Sequence, residues 1–240
     1  MTLAFALRGS NGLVLGADSR VSGAFGSADT STKFLQVNRE IGILTYGLAE
    51  VGYKSINSIV DQVNGYSDFS ATATPRIVHF SEIIKKTQEI CKKTYGEVAT
   101  ELKKNNSAIT DRDLTTGFIL AGYDANETNQ FKIHHFESPK FESDERPGDI
   151  IAAQWHISQF LSNHFYYQEM DVEQLKRLAS FMLIETGVIS TSVGGRLKIA
   201  TVTLENGFQL LNEKEIQNII CENQPRFAKY RRILLDNLRF

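Results

Sequence analysis

Short apolar runs alternate with glycine-rich and polar breaks over the first 47 residues. Residues 2–8 read Thr-Leu-Ala-Phe-Ala-Leu-Arg, residues 13–19 read Leu-Val-Leu-Gly-Ala-Asp-Ser, and Gly9-Ser-Asn-Gly12 separates them. Two apolar runs around a glycine-bounded turn predict a β-hairpin. Both runs are apolar on both pleat faces, so the pair is expected to be covered on both sides. A turn centred between Ser10 and Asn11 sets Thr2 opposite Ser19 and Leu3 opposite Asp18. A hydroxyl near the chain start then lies beside a carboxylate.

Residues 21–32, rich in Ser, Gly, Ala and Asp, read as a loop, and 34–37 with 41–46 as a second hairpin around Asn38-Arg39-Glu40. Val51, Ile56, Ile59, Val60 and Val63 fall at helical spacing, with Gly65 as the stop. Residues 67–75 read as a polar loop. Residues 77–104 form a long amphipathic pattern that Gly96 is expected to break or bend. A solvated connection over 105–113 leads to strands at 114–123 and 130–136, a charged loop over 137–147 and a short strand at 150–153. Helices are expected at 154–167 and 172–187, the second capped by Asp171 and ending near Gly187. Strands at 197–204 and 208–211 precede a mostly helical stretch, 213–240, interrupted near Pro225. Strands, two helices, strands, two helices, strands: this segregated order predicts an α+β fold of stacked sheets covered by helices, not a doubly wound parallel sheet.

Composition narrows the function. The 240 residues carry 42% hydrophobic content and a formal net charge of −2, so there is no cationic excess to displace counterions from nucleic acid. Cys91 and Cys221 match no metal or redox spacing and read as reduced thiols. No signal-peptide pattern opens the chain, and no run offers the ~18 apolar residues of a membrane span. The expectation is a cytoplasmic protein that binds neither nucleic acid nor membrane.

The candidate chemistry starts at Thr2. A threonine hydroxyl is a weak nucleophile until a base takes its proton. If Met1 is removed, Thr2 carries a free α-amine, whose pKa of ~7.7–8.0 makes it a far better base at neutral pH than a lysine at ~10.4. A lysine ammonium nearby lowers that value further. Asp18 ends an apolar strand, and Lys33 precedes another; a buried member of either pair needs the other's charge. Gly47, between a strand and a helix, places a backbone N–H where negative charge is favoured, a suitable oxyanion donor.

Thr2, Asp18, Lys33 and Gly47, in this order, resemble the proteasome β-subunit family, including HslV-type peptidases and bacterial β-subunit-like homologues. The similarity is carried by residues 2–7, 12–20, Lys33-Phe34 and Tyr46-Gly-Leu-Ala49. It continues through residues 117–124, Val193-Gly-Gly195 and the run from Ile199 to Phe208. The resemblance implies a four-layer αββα sandwich of the N-terminal-nucleophile (Ntn) hydrolase type, a single domain over 1–240 with 213–240 as a C-terminal helical tail. It also implies a threonine endopeptidase acting through an acyl-enzyme after autocatalytic or aminopeptidase-dependent maturation. Thr2 would be nucleophile, its amine the base, Asp18 the partner holding Lys33, and the Gly47 N–H the oxyanion donor. Arg20 matches a structural arginine. A peptide or unfolded-protein substrate, a ring-like homo-oligomer and an ATPase or unfoldase partner are further implications; no cofactor or metal is expected.

The chain also departs from that pattern. Ala152-Ala-Gln154 stands where the family has Gly-Ser-Gly. Aligning on Gly194-Gly195 puts Ser190 in place of an aspartate and Val193 in place of a serine, with Ser190, Thr191 and Ser192 as alternative substitutes. A catalytically silent structural subunit, or an Ntn amidase or transpeptidase, are the alternative functions. His134 and His135, adjacent on a strand, point to opposite faces and read as surface or edge histidines.

Overall fold

The central strands are buried on both faces, and that decides how this chain stacks. The computed structural model describes residues 3–23, 26–28, 33–64, 79–111, 113–124, 130–152 and 155–237. The first hairpin is β1 (Ala4–Arg8) and β2 (Gly12–Asp18). Its pairing of Ala4 with Ala17 and Arg8 with Leu13 is the register expected from the turn. Two short strands follow, β3 (Val21–Gly23) and β4 (Gly26–Ala28), paired with each other. They correct the expected loop over 21–32; their three-residue length is too short to leave an alternation signal.

The second hairpin is β5 (Phe34–Gln36) and β6 (Ile41–Gly47), followed by helix α1 (Ala49–Asn64). Helix α2 (Phe80–Asn105) runs through Gly96 without a break. A side chain at 96 would meet nothing within 4 Å, so the position faces open space and the glycine costs only intrinsic helix propensity. The expected polar loop at 67–75 and the stop at Gly65 lie outside the described residues. Strands β7 (Thr116–Tyr123), β8 (Phe131–Glu137) and β9 (Asp144–Arg146) come next. The last of these corrects the loop expected over 137–147, an edge strand whose charged Asp-Glu-Arg hides it from a hydrophobic search.

Strand β10 (Asp149–Ala152) leads to α3 (Trp155–Phe165) and α4 (Val172–Ile189). The expected cap at Asp171 is present as a reciprocal pair: its carboxylate accepts from the Gln174 N–H at 2.7 Å, and Gln174 Oε1 accepts from the Asp171 N–H at 2.9 Å. Strands β11 (Leu197–Thr203) and β12 (Gly207–Leu210) precede α5 (Glu213–Asn237). Helix α5 is continuous across Pro225, correcting the expected interruption. Proline removes one backbone hydrogen bond, but the helix is held on both sides of it. Ile216 precedes and Phe227 follows, both packed in one core, and Arg231 is bonded to Glu185 of α4 at 2.9 and 2.6 Å.

The strands form two five-stranded antiparallel sheets, ordered β10-β1-β2-β11-β12 and β5-β6-β7-β8-β9. Three cores follow from their faces. Leu3, Phe5, Leu7, Val14 and Ile199 pack under α4 and α5, while Ile41, Ile43, Phe118 and Leu120 pack under α1 and α2. The intervening residues Ala4, Ala6, Leu13, Leu15, Leu44, Ile119 and Ala121 meet between the sheets. The central strands β1, β2, β6, β7 and β11 thus divide their residues between two cores with a period of two. The result is the four-layer αββα sandwich of the Ntn-hydrolase type. Among the described residues, no helix is long and apolar enough to cross a membrane.

Candidate functional site

The end of β2 is where the chain gathers its charge. Asp18 is fully buried, and its carboxylate has four donors. Oδ1 accepts from the Leu3 N–H at 3.0 Å and from Lys33 Nζ at 2.8 Å. Oδ2 accepts from the Arg20 N–H at 3.2 Å and the Gly194 N–H at 3.0 Å. The Leu3 carbonyl accepts in turn from the Asp18 N–H at 3.3 Å. Strand pairing therefore ties the residue that follows Thr2 directly to the carboxylate that holds Lys33.

Lys33 leaves the second sheet just ahead of β5 and crosses to the first. It is 5% exposed, and its ammonium also donates to the Arg20 carbonyl at 2.7 Å. Burial pushes its pKa below the usual lysine value, while the Asp18 charge and hydrogen bond oppose that shift. The sequence expectation that Asp18 and Lys33 pair is met by this geometry. Met1 and Thr2 lie outside the described residues.

Gly47 closes β6 and is exposed. Its φ of +85° lies in the left-handed region, and a Cβ there would come within 2.2 Å of the Thr115 carbonyl oxygen, so only glycine fits. Alternation along β6 sends odd-numbered amides toward β5: the Thr45 N–H donates to the Lys33 carbonyl at 3.0 Å. The Gly47 N–H, two residues on, faces the same way. Lys33 and the candidate oxyanion donor therefore share one side of the strand.

Ser190 sits at the C-terminal cap of α4, and its hydroxyl lies 2.9 Å from the Ser192 hydroxyl. The 190–196 loop wraps the end of β2. Arg20 Nη1 donates to the Thr191 carbonyl at 2.9 Å, the Arg20 N–H to the Gly194 carbonyl at 3.1 Å, and the Arg196 N–H to Ser19 Oγ at 2.7 Å. Val193, aligned where a serine was expected, is buried in the core beneath α4 and so is a packing residue. Ala153 and Gln154, of the other departure, lie outside the described residues.

Sequence reasoning missed two features. The first is the grip of the 190–196 loop on Arg20, which joins the Arg20 guanidinium and N–H to backbone carbonyls 171 or more residues away and leaves no local signal. The second is a polar cluster beside Gly47. Tyr46 Oη lies 2.6 Å from His135 Nε2 and donates to Glu137 Oε1 at 3.1 Å. Burial is the first cause raising the tyrosine's pKa and lowering the histidine's. His134, on the other face as expected, is bonded to Ser143 Oγ at 2.9 Å and packed on Phe80. His134 is buried and His135 half-buried, which corrects the reading of a surface or edge histidine for His134: Phe80 of α2 covers its ring.

By its likeness to solved structures, the sandwich has a proteasome-like β-subunit fold. Two solved structures resemble it over nearly their whole length. One is a Gly-1 mutant of Anbu from Hyphomicrobium sp. strain MC1, with TM-score 0.71 and 14% identity, covering 100% of this chain and 99% of that one. The other is Anbu, an ancestral beta-subunit, from Yersinia bercovieri, with TM-score 0.70 and 15% identity, covering 98% and 94%. No protein-family model and no curated protein matches the sequence. These findings correct the expectation of a proteasome β-subunit or HslV-type family member. The structural likeness runs to the Anbu proteins, and at such low identity it carries the fold alone.

Proposed function

We propose that this chain is an N-terminal threonine hydrolase that cleaves peptide bonds and works as a self-assembled oligomer. The observation that carries the reading is Asp18 Oδ1, which bonds the Leu3 N–H and the Lys33 ammonium at once. One buried carboxylate oxygen thereby keeps a cation within a residue of Thr2. Once Met1 is removed, the Thr2 amine takes the proton from its own hydroxyl, and the freed oxygen attacks the substrate carbonyl. The Lys33 ammonium favours the unprotonated amine and stabilises the developing alkoxide. The Gly47 N–H receives the oxyanion. The amine then returns its proton to the departing amine, leaving an acyl-enzyme that water hydrolyses.

The proposal extends to a peptide or unfolded-protein substrate and to an ATPase partner that delivers it. A second reading, a silent structural subunit, is supported by Val193, which offers no hydroxyl to orient the Thr2 amine; Ser190 and Ser192 are then the groups available to do so. Intact mass shows whether Met1 is absent. Turnover of fluorogenic peptides by the parent but not by Thr2→Ala supports the hydrolase, and equal turnover by both overturns it.

A further inference from the structure

The Tyr46–Gly47 peptide group is one rigid unit: its carbonyl and its N–H point in opposite directions. The carbonyl end faces β7, where the Thr116 hydroxyl donates to the Tyr46 oxygen at 2.9 Å. Thr116 is fully buried and is itself fixed, since its N–H donates to Ser138 Oγ at 3.1 Å and its carbonyl accepts from the Ser138 N–H at 2.9 Å. The next amide, Leu48 N–H, is taken by the Thr115 carbonyl at 3.2 Å. Residues 115 and 116 thus grip the strand-to-helix junction on both sides of Gly47. What they leave facing the Lys33 side is the Gly47 N–H.

We propose that Thr116 is a positioning residue, whose hydroxyl orients and polarises the Tyr46–Gly47 peptide group so that its N–H serves as the oxyanion donor. The catalytic half of this inference rests on the hydrolase reading above. The physical reason is twofold. A hydrogen bond to the carbonyl withdraws electron density from the amide nitrogen and strengthens the N–H as a donor. It also locks the plane that the left-handed φ at Gly47 would otherwise leave free to rock, and preorganised donors are what stabilise an oxyanion.

The chain allows a test free of substrate. Tyrosine precedes glycine only at Tyr46-Gly47 and Tyr95-Gly96. Protein labelled with 13C′-tyrosine and 15N-glycine therefore reports two peptide groups by solid-state NMR, the second an internal control in the middle of α2. Thr116→Val, which keeps the shape and deletes the hydroxyl, is expected to shift the 46–47 amide and leave 95–96 in place; Thr116→Ser is expected to restore the parent signal. An unmoved 46–47 amide in a folded Thr116→Val protein overturns the proposal. With peptide substrate, Val at 116 is expected to lower kcat roughly tenfold at unchanged KM, the partial loss of an oxyanion donor, and Ser to recover it. Parent-like kcat in Thr116→Val alongside a dead Thr2→Ala overturns the positioning role alone. Thr2-independent turnover in the parent overturns the hydrolase reading, and the NMR comparison still decides the grip on the peptide group.

Discussion

Replacing Asp18 with asparagine removes one charge and almost no volume, which isolates the electrostatics of the site. The carboxylate has donors on both oxygens: Leu3 N–H and Lys33 Nζ on one, Arg20 N–H and Gly194 N–H on the other. An asparagine amide has one acceptor oxygen, so whichever way it turns, its NH2 confronts two donors. Lys33, 5% exposed, loses its countercharge in the same step. Breaking a buried pair from one side costs about 3–5 kcal/mol. With a urea m-value near ~3 kcal/mol/M, the unfolding midpoint falls by roughly 1–1.7 M at constant m. The assay is urea denaturation followed by far-UV circular dichroism at one fixed protomer concentration, because assembly shifts apparent stability. Glu50→Gln is the control: Lys54 and Glu50 approach to 2.6 Å, but their side chains are 56% and 46% exposed, and the midpoint is expected to hold. Adding Lys33→Met to Asp18→Asn removes the stranded ammonium and is expected to recover a large part of the loss. Equal midpoints for Asp18→Asn and Glu50→Gln would refute the claim that burial makes this pair consequential.

Three further outcomes follow from charge and packing. On the proposed mechanism, peptide turnover is expected to rise with pH as the Thr2 amine loses its proton and to fall as Lys33 loses its own; because burial lowers the Lys33 pKa, the falling limb is expected below the ordinary lysine value of 10.5, and a kcat profile flat to that value would contradict it. Phe227, fully buried against Phe181 at a ring distance of 5.3 Å, anchors α5 beyond Pro225; Phe227→Ala is expected to cost about 3–5 kcal/mol, whereas Pro225→Ala on the exposed face is expected to gain about 2 kcal/mol once the looser unfolded chain is counted, both read by the same urea titration.

The period-two segregation of apolar residues made the architecture legible. Phe5 and Leu7 differ from Ala4 and Ala6 in size, and the two sets enter different cores. The pattern failed where elements are too short or too charged to show a period, as in β3, β4 and the Asp-Glu-Arg strand β9. It also failed at Pro225, because propensity speaks only for the local chain and α5 is held by contacts with α4. At the site, Asp18 and Lys33 were legible because a buried charge demands a partner. Tyr46, His135 and Glu137 were not, since each alone looks like an ordinary strand residue. Nor was Thr116, whose role depends on which way one peptide carbonyl points.

The packing between the sheets explains how a lysine from one reaches an aspartate on the other. Face-to-face sheets stand about 10 Å apart, more than a lysine side chain spans from its own backbone. In this layer the first sheet contributes four alanines, Ala4, Ala6, Ala17 and Ala200, interspersed with Leu13, Leu15, Ile150 and Val202, and the second mainly large residues, among them Phe34, Tyr46, Tyr123 and Phe131. Large side chains set against small ones fill the layer without forcing the sheets apart. Lys33, placed before β5 and not within it, has its backbone tied to Thr45 and its ammonium tied to Asp18 and the Arg20 carbonyl. The cation is therefore held by both sheets, and the pair can form only when they are stacked. Enlarging the alanine side of the layer would separate the charges before it disturbed either sheet's own hydrogen bonds. Sheet stacking and the chemistry proposed for Thr2 thus depend on the same small residues.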